Sequence, residues 1–361
     1  MQGIIKNLKR LLVLAVTALA LTAAALFHIP RQILPGRSEP ALADSRTWGY
    51  QLQRASPARI PAPIDVMVID YARGNTPTET LSPMEVQRFR TRPDGSKRIV
   101  LAYLSIGEAE NYRYYWWSHW RARPPSWLGD ENPEWKGNFR VRYWDDGWRG
   151  IIMNPRPTAM DHALERIVDW RKPYLDRIIE AGFDGVYLDR VDAFMEWQAT
   201  RPSAELDMVR LVADLAAYAR SRQPGFLVVT QNGEELLRHN DLRRVVDGVA
   251  KEDLWYGIDG AEVANNTRDV TKTLQHLNRV RAESKPVFVV EYIDDPEKRE
   301  TTRKLAAERG FIITFAHREL DRTPELVTPA APAPATSQPA DQAPSGLPSR
   351  PIAPQPARPK G

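Results

Sequence analysis

The stretch GFDGVYLDRVDAF, residues 182–194, holds the strongest local signal in this chain. Its apolar core, Val186, Tyr187 and Leu188, is typical of a buried β-strand, and that strand ends on Asp189, with Asp192 three residues later. An unpaired carboxylate costs several kcal/mol to bury, so a strand seldom ends in this way without a partner or a task. Because Asp also caps helices and starts turns, the stretch alone leaves a structural and a functional interpretation open.

Similar apolar runs recur on both sides of this stretch, and we predict eight strands from them. They cover residues 64–72, 98–106, 148–154, 185–189, 226–232, 246–253, 286–293 and 310–316. Amphipathic helical patterns separate several of these runs, over 157–181, 203–223, 271–284 and 296–309. Strands that are apolar throughout and alternate with helices indicate a parallel sheet covered on both faces.

Eight strand–helix units close naturally into a barrel, so the predicted fold is α/β, a (β/α)8 TIM-type barrel. An open doubly wound sheet is the alternative, but no glycine-rich phosphate loop follows any predicted strand. Seven of the eleven tryptophans lie between residues 116 and 148, in an irregular part of the chain, so we expect a Trp-rich inserted loop region. Its rings either pack as an ordered lid or offer a stacking platform for a sugar.

The two ends of the chain differ in composition from this region. Lys6, Lys9 and Arg10 precede an uncharged run over 11–27, which is typical of a signal peptide or of an uncleaved N-terminal membrane anchor. We therefore predict this segment over 1–27, a linker over 28–47, the barrel over 48–323 and a Pro/Ala-rich disordered tail over 324–361. The protein would be exported, either periplasmic, secreted or anchored on the outer side of the cytoplasmic membrane.

The composition argues against several classes of function. The chain has no cysteine, which excludes a thiolate nucleophile and a Cys-based metal site. Its six histidines show no metal-binding spacing, and it has neither a nucleophile elbow nor a Walker loop. The formal net charge of +4 comes from scattered Lys and Arg without a basic stripe. We therefore predict no metal, no cofactor and no nucleic-acid partner, and we expect a monomer.

Acidic and polar side chains cluster at the carboxyl ends of the predicted strands, where a barrel of this kind has its active site. Five of the eight ends carry an acidic residue, and these would converge on one rim. The candidate site residues are Asp70, Tyr71, Tyr103, Ser105, Glu108, Tyr112, Asp189, Asp192, Gln231, Asn232, Glu252, Tyr256, Glu291 and Tyr292. Two facing carboxylates are the usual equipment for glycoside hydrolysis, but position at a strand end does not select the pair.

Several longer phrases, taken together, resemble the extracellular barrels of glycoside hydrolase family 114. They are VMVIDYA, IVLAYLSIGEAENYRYYW, WLGDENPEWKGNFRVRYWD, YLDRIIEAGFDGVYLDRVDAF and VVTQNGEELL, and the resemblance covers about residues 48–320. It implies a (β/α)8 barrel that cleaves α-1,4-linked galactosamine polymers with an Asp after strand four and a Glu after strand six. In this chain these are Asp189, as nucleophile, and Glu252, as acid/base.

The resemblance further implies a cationic aminosugar polymer as the binding partner. Asp70, Glu108 and Glu291 would then pair with its amino groups, and Asp192 would support or cap the neighbouring backbone. By analogy with related barrels, the reaction would retain the anomeric configuration. Two alternatives remain open: a carbohydrate-binding barrel with little or no turnover, and a glycosidase that acts on another α-linked sugar.

Overall fold

The computed structural model describes residues 40–74, 79–153 and 172–328. The predicted segment over 1–27, most of the predicted linker and the predicted tail beyond residue 328 lie outside these residues. So does the first part of the helix predicted over 157–181. Within the described ranges, no helix combines the length and the hydropathy needed to cross a membrane.

The described strands form one large sheet and two small ones. In chain order they are β1 Trp48–Tyr50, β2 Val66–Asp70, β3 Ile99–Ser105, β4 Glu108–Glu110, β5 Leu128–Glu131, β6 Asn138–Val141, β7 Gly185–Asp189, β8 Leu227–Gln231, β9 Gly248–Glu252, β10 Tyr256–Gly257, β11 Gly260–Ala264, β12 Val287–Glu291 and β13 Ile312–Phe315. The large sheet has the order β1-β2-β3-β7-β8-β9-β12-β13, and every neighbouring pair in it is parallel.

Helices connect most of these strands. The described α-helices are α1 Pro83–Arg90, α2 Asp146–Ile152, α3 Tyr174–Ala181, α4 Phe194–Trp197, α5 Ala204–Arg222, α6 Asn240–Val245, α7 Thr267–Ala282 and α8 Pro296–Glu308. The two edge strands of the large sheet, β1 and β13, are in contact, and beyond their ends the backbone N–H groups of Leu52 and Gln53 donate to the carbonyl of Leu320 at 2.9 and 3.0 Å. The predicted (β/α)8 barrel is therefore confirmed.

Strand β3 shows why the barrel strands are apolar throughout. All seven of its residues are buried. Ile99, Leu101 and Tyr103 belong to the cluster inside the barrel, whereas Val100 and Leu104 pack in the outer layer beneath the helices. Each buried aliphatic side chain contributes roughly 1.5–3 kcal/mol to the stability of the fold. A strand that is covered on both faces therefore carries apolar residues along its length and polar residues only at its end.

The prediction of a strand over 148–154 is wrong. Residues Asp146–Ile152 form helix α2, whose N-cap, Asp145, accepts a hydrogen bond from the N–H of Gly147 at 2.8 Å. Trp148 and Ile152 are four residues apart and bury one face of this helix. A short apolar run fits a buried strand and a buried helix equally well, and length did not separate them here.

The barrel takes its first strand from β1, Trp48–Tyr50, which has only three residues. This strand was missed because such a short segment shows no periodicity. Because one strand was missed and one was wrongly predicted, the number of barrel strands before GVYLD is unchanged. The strand GVYLD is therefore still the fourth of the barrel, and the strand that ends on Glu252 is still the sixth.

The Trp-rich insertion contains a three-stranded antiparallel sheet of order β4-β6-β5, followed by α2. Trp127 and Trp148 are buried in the core, and Trp116, Trp120 and Trp144 pack against it. These five rings act in packing. Trp117 and Trp135 differ, because 41% and 50% of their surfaces are exposed.

The packed chain extends slightly beyond 48–323 on both sides. Leu42 is buried inside the barrel cluster, and the side chain of Thr47 donates to the carbonyl of Pro63 at 2.6 Å. At the other end, Pro324 lies so close to Gly49 that a Cβ on this glycine would stand 2.7 Å from the proline ring. Only glycine therefore fits at the centre of β1.

Candidate active site

A cleft of about 700 Å³ opens at the carboxyl ends of the barrel strands. Asp189 ends β7, Gln231 ends β8 and Glu252 ends β9, so three consecutive strands of the sheet bring their last side chains to it. A second cavity of about 770 Å³ adjoins the first, and Asp70 and Arg113 line both. Together they form a groove along one side of the rim.

The residues that follow these three strands share a left-handed backbone conformation. Arg190, Asn232 and Asp253 have φ angles of 59°, 58° and 51°. Asn and Asp tolerate this conformation because their short side chains form hydrogen bonds with the nearby backbone. For Arg190 the same conformation costs roughly 1–2 kcal/mol of steric strain. The chain thus turns sharply after each strand.

Asp189 is held by three donors. The hydroxyl of Tyr103 donates to its Oδ2 at 2.6 Å, and the backbone N–H of Arg190 donates to its Oδ1 at 2.7 Å. The amide of Gln231 also donates to Oδ1, at 3.2 Å. Tyr103 and Gln231 carry no charge, so they orient the carboxylate without a countercharge.

Glu252 has a matching set of donors. Asn232 Nδ2 donates to its Oε2 at 2.8 Å, and the Tyr292 hydroxyl donates to its Oε1 at 3.0 Å. The third donor is Gln231 Nε2, which therefore bonds to both Asp189 and Glu252. One amide nitrogen thus bridges the two carboxylates.

Burial raises the pKa of both groups. Burial is the larger cause for Asp189, and the charge of Glu252 adds to it, so the pKa of Asp189 rises to about 7. Burial also raises the pKa of Glu252, although its hydrogen bonds from Asn232 and Tyr292 oppose the shift. Because the charge of Glu252 disfavours the charged form of Asp189, the two groups titrate as a coupled pair.

Asp70 and Glu110 are bound by one buried arginine, Arg113. Its Nη1 donates to both carboxylate oxygens of Asp70 at 2.9 and 2.8 Å, and its Nε donates to Glu110 Oε2 at 2.6 Å. The Tyr112 hydroxyl donates to the other oxygen of Glu110 at 2.6 Å. Since Asp70 lies on β2 and Glu110 on β4, this cluster attaches the insertion to the barrel rim.

Glu108 is bound in the same manner by Arg190. Arg190 Nε lies 3.2 Å from Glu108 Oε1, and the amides of Asn132 and Asn138 donate to the carboxylate at 2.7 and 3.2 Å. Burial raises the pKa of Glu108, and the charge of Arg190 opposes this. Asp70 and Glu108 were predicted to pair with a ligand, but both carboxylates already have cationic partners within the protein.

Glu291 was predicted at the same rim, but the structure contradicts this position. It is 0% exposed, and its Oε1 accepts the backbone N–H of Trp255 at 2.9 Å. Burial raises the pKa of Glu291 to about 8. Glu291 lies on the same face of β12 as Val287 and Val289, which pack in the outer layer, so it supports the loop after β9 and lies outside the lining of the cleft.

The other candidates divide into two sets. Those that line the cleft are Asp70, Tyr103, Glu108, Tyr112, Asp189, Asp192, Gln231, Asn232, Glu252 and Tyr292. Tyr71, Ser105 and Tyr256 are buried and lie outside its lining. Tyr71, for example, packs against Tyr174 with ring centroids 4.5 Å apart. Asp192 lies in the 3-10 turn Val191–Ala193 without capping that turn or α4.

Sequence reasoning missed the cations and several other residues of the cleft. These are Tyr50, Glu110, Arg113, Trp135, Lys136, Asn138, Arg190, Lys251 and Arg318. Arg190 and Lys251 directly adjoin Asp189 and Glu252, so their positions in sequence were a usable signal. Arg113 had none, because its role depends on the fold of the insertion. Among the described residues, no three His, Asp or Glu side chains are arranged to hold a metal ion.

Residues 32–329 match the family model described as glycoside-hydrolase family GH114. Two relatives are uncharacterized proteins of Methanocaldococcus jannaschii and Thermotoga maritima. The first is 34% identical over 291 residues, covering 76% of this chain and 77% of the relative. The second is 35% identical over 255 residues, covering 69% and 71%.

Among solved structures, the glycoside hydrolase domain of PelA from Pseudomonas aeruginosa is similar in fold. Its TM-score is 0.55 at 21% sequence identity, and the match covers 79% of this chain and 98% of that domain. A variant of the same domain aligns with a TM-score of 0.54. This likeness supports the barrel architecture described above.

Proposed function

The chain belongs to glycoside hydrolase family GH114, and on this premise we propose that it is an exported glycosidase that cleaves α-1,4-linked galactosamine polymers. Asp189 and Glu252 are the proposed catalytic pair. The observation that carries the proposal is the bridging amide of Gln231, which bonds to both carboxylates at the mouth of the barrel. The basic flank and apolar run of residues 1–27 support export.

The separation of the two carboxylates supports retention of configuration. Because one nitrogen bonds to an oxygen of each group, these oxygens lie within two hydrogen-bond lengths of each other, about 6 Å at most. Retaining glycosidases have carboxyl groups about 5–5.5 Å apart, whereas inverting enzymes leave about 6.5–9.5 Å for a water molecule. The pair therefore fits direct attack better than water activation.

In the proposed reaction, an oxygen of Asp189 attacks the anomeric carbon while Glu252 gives its proton to the leaving glycosidic oxygen. The carbon–oxygen bond breaks, and the sugar becomes an ester of Asp189. Glu252 then takes a proton from water, and the resulting hydroxide attacks the same carbon and releases Asp189. The reaction needs the form of the pair in which Asp189 is ionised and Glu252 carries the proton. Tyr103 and Gln231 would hold Asp189 in line.

Two features of the groove support a polymeric substrate. The adjoining cavities of about 700 and 770 Å³ leave room for several sugar units. Trp135, which is half exposed, and Tyr112 both line the first cavity and offer aromatic faces for stacking. Five other insertion tryptophans are engaged in packing, and Trp117 lies outside the lining of the cleft, so we assign the stacking role to these two.

The test uses the purified full-length protein with deacetylated α-1,4-galactosamine oligomers. We expect the wild type to release shorter products, and we expect Asp189→Asn and Glu252→Gln to lose about a thousandfold or more in kcat/KM while remaining folded. NMR of the first-formed product should show the α-anomer. Tight binding without cleavage would indicate a carbohydrate-binding barrel instead, and cleavage by both variants would refute the assigned pair.

A further inference from the structure

The cleft carboxylates outside the catalytic pair differ in how fully they are occupied. Arg113 binds Asp70 and Glu110 at 2.6–2.9 Å, and Arg190 lies against Glu108. Asp253 is bound by Arg318, whose Nη2 donates to its two oxygens at 2.9 and 3.1 Å. Each of these four carboxylates is therefore paired with an arginine of the protein itself.

Asp192 and Glu319 are the exceptions among the described residues that line the cleft, and of these Glu319 is exposed, whereas Asp192 lies three residues from Asp189. It lines the cleft with 30% of its side chain exposed, and its contact with a cation is a long one, 3.6 Å from Oδ1 to Arg190 Nη1. Within residues 40–74, 79–153 and 172–328, no other side chain forms a hydrogen bond or an ion pair with its carboxylate. Its oxygens therefore have free capacity to accept hydrogen bonds from a ligand.

The cations beside Asp192 are already engaged by other groups. Arg190 forms its closer contacts with Glu196 and Glu108. Lys251 Nζ donates to Asn232 Oδ1 at 3.2 Å and lies 3.7 Å from Glu234. Neither cation can turn fully to Asp192 without losing one of these partners.

The surrounding charges leave one negative charge unbalanced. The ion-paired cluster contains the carboxylates of Glu108, Asp192 and Glu196, but its cations are Arg140 and Arg190. The charge of Lys251 also acts on Asp192, but Lys251 is paired with Glu234. The catalytic pair adds further negative charge nearby, and the charge of Asp192 helps to raise the pKa of Asp189. A ligand with one positive charge would complete this cluster.

We infer that Asp192 is the specificity-determining residue that binds the ammonium group of a deacetylated aminosugar unit next to the catalytic pair. The inference rests on the proposed function, since it takes the sugar polymer as the ligand. An ammonium group can donate two or three hydrogen bonds to the free oxygens of Asp192 and balance its charge. An N-acetyl group carries no charge and offers one N–H, so the same site would discriminate against acetylated units.

Binding measurements separate this inference from catalysis. The parent is full-length Glu252→Gln, and the dissociation constants are measured by calorimetry for deacetylated and for fully N-acetylated α-1,4-galactosamine oligomers. Adding Asp192→Asn should weaken binding of the deacetylated oligomer about ten- to a hundredfold, because a charge-assisted contact is lost. Binding of the acetylated oligomer should change by less than about threefold.

Two further variants serve as controls. Asp192→Glu keeps the charge and should restore most of the preference for the deacetylated oligomer. Asp241→Asn removes one charge from a side chain that is 79% exposed on α6, and it should leave both dissociation constants unchanged. Since Arg190 keeps Glu108 and Glu196, we expect Asp192→Asn to fold normally, with a Tm near that of the parent.

The outcomes are distinct. Equal weakening for both oligomers, or no weakening for the deacetylated one, would overturn the role of Asp192. Absence of binding of the deacetylated oligomer to the parent would overturn it together with the proposed substrate. Tight, Asp192-dependent binding without cleavage by the wild type would support the inference and refute the proposed hydrolysis alone.

Discussion

Two groups of carboxylates share one cleft and are held in opposite ways. Asp189 and Glu252 accept hydrogen bonds from Tyr103, Gln231, Asn232 and Tyr292, which are all neutral side chains. Asp70, Glu108 and Glu110 are instead held by Arg113 and Arg190. Burial raises the pKa of members of both groups, but the arginines oppose that shift, whereas the charge of Glu252 adds to it at Asp189.

The difference separates a reactive arrangement from a structural one. A neutral donor fixes the position of a carboxylate and leaves its charge and its proton available for chemistry. A buried arginine fixes the position and cancels the charge, so the carboxylate is committed to the fold. Whether an acidic residue at the end of a barrel strand is reactive or structural therefore depends on whether its partner is neutral or cationic.

The largest effect should come from removing the arginine of the structural group. Arg113→Met leaves Asp70 and Glu110 buried without their cation, so we expect the free energy of unfolding to fall by about 3–5 kcal/mol. Chemical denaturation measures this change. Arg88→Met, on the exposed side of α1, serves as the control and should cost less than about 0.5 kcal/mol. Similar values for both variants would contradict the assigned role of Arg113.

The second prediction concerns pH and the reactive group. In the folded protein Asp189 keeps its proton up to about pH 7, whereas in the unfolded chain it loses it near pH 4. The folded state thus binds more protons between these values, so stability falls as the pH rises through this window. Asp189→Asn lacks this penalty and should be more stable than the wild type by about 3–4 kcal/mol above pH 7, at most.

Denaturation at pH 4, 6 and 8 checks the sign as well as the size. The gap between Asp189→Asn and wild type should be near zero at pH 4 and widen toward pH 8. Asp241→Asn, on the exposed surface of α6, should follow the wild type throughout. A gap that stays constant with pH would show that the carboxylate of Asp189 is not held in a charge-disfavouring site.

The smallest effect should follow from removing the bridge itself. Gln231→Leu keeps the approximate volume but removes the donor shared by Asp189 and Glu252, so kcat/KM on deacetylated oligomers should fall about ten- to a hundredfold. Stability should change by less than about 1 kcal/mol, because Gln231 Oε1 is buried without a partner among the described residues and its loss offsets part of the cost.

A neighbouring position on the same strand provides the control for this variant. Thr230 is also buried, but it lies outside the lining of the cleft. Thr230→Val should therefore leave kcat/KM unchanged within about twofold. If Gln231→Leu behaved like Thr230→Val, the bridging amide would have no part in positioning the pair.

Much of the fold was predictable because the barrel strands are buried on both faces. That burial forces long apolar runs, and seven of the eight barrel strands follow from them. Strand β1 was not predicted, because a segment of three residues is too short to show periodicity. Helix α2 was predicted as a strand, because its apolar run is short. Neither error changed the architecture, since the alternation of the remaining elements already requires parallel pairing.

The candidate site was predictable only in part. The ends of β7, β8 and β9 bring Asp189, Gln231 and Glu252 to one cleft, as expected for parallel neighbours. Glu291 ends its strand in the same way and yet is fully buried. Its side chain shares the outer face of β12 with Val287 and Val289, whereas Asp189, Gln231 and Glu252 share the inner face with Tyr187, Val229 and Ala250. Position at a strand end does not by itself say which face the last residue takes.

By itself, the sequence determined that acidic residues would gather at the carboxyl ends of a parallel barrel, because local periodicity sets where each strand stops. Only the tertiary structure decided which of them are neutralised. Arg113 reaches Asp70 from 43 residues away, and Tyr103 reaches Asp189 across 86 residues. Such partners are set by the packing of the insertion and by the neighbours in the sheet, and these long-range contacts leave no local pattern. The charge that each carboxylate keeps is therefore a property of the folded molecule.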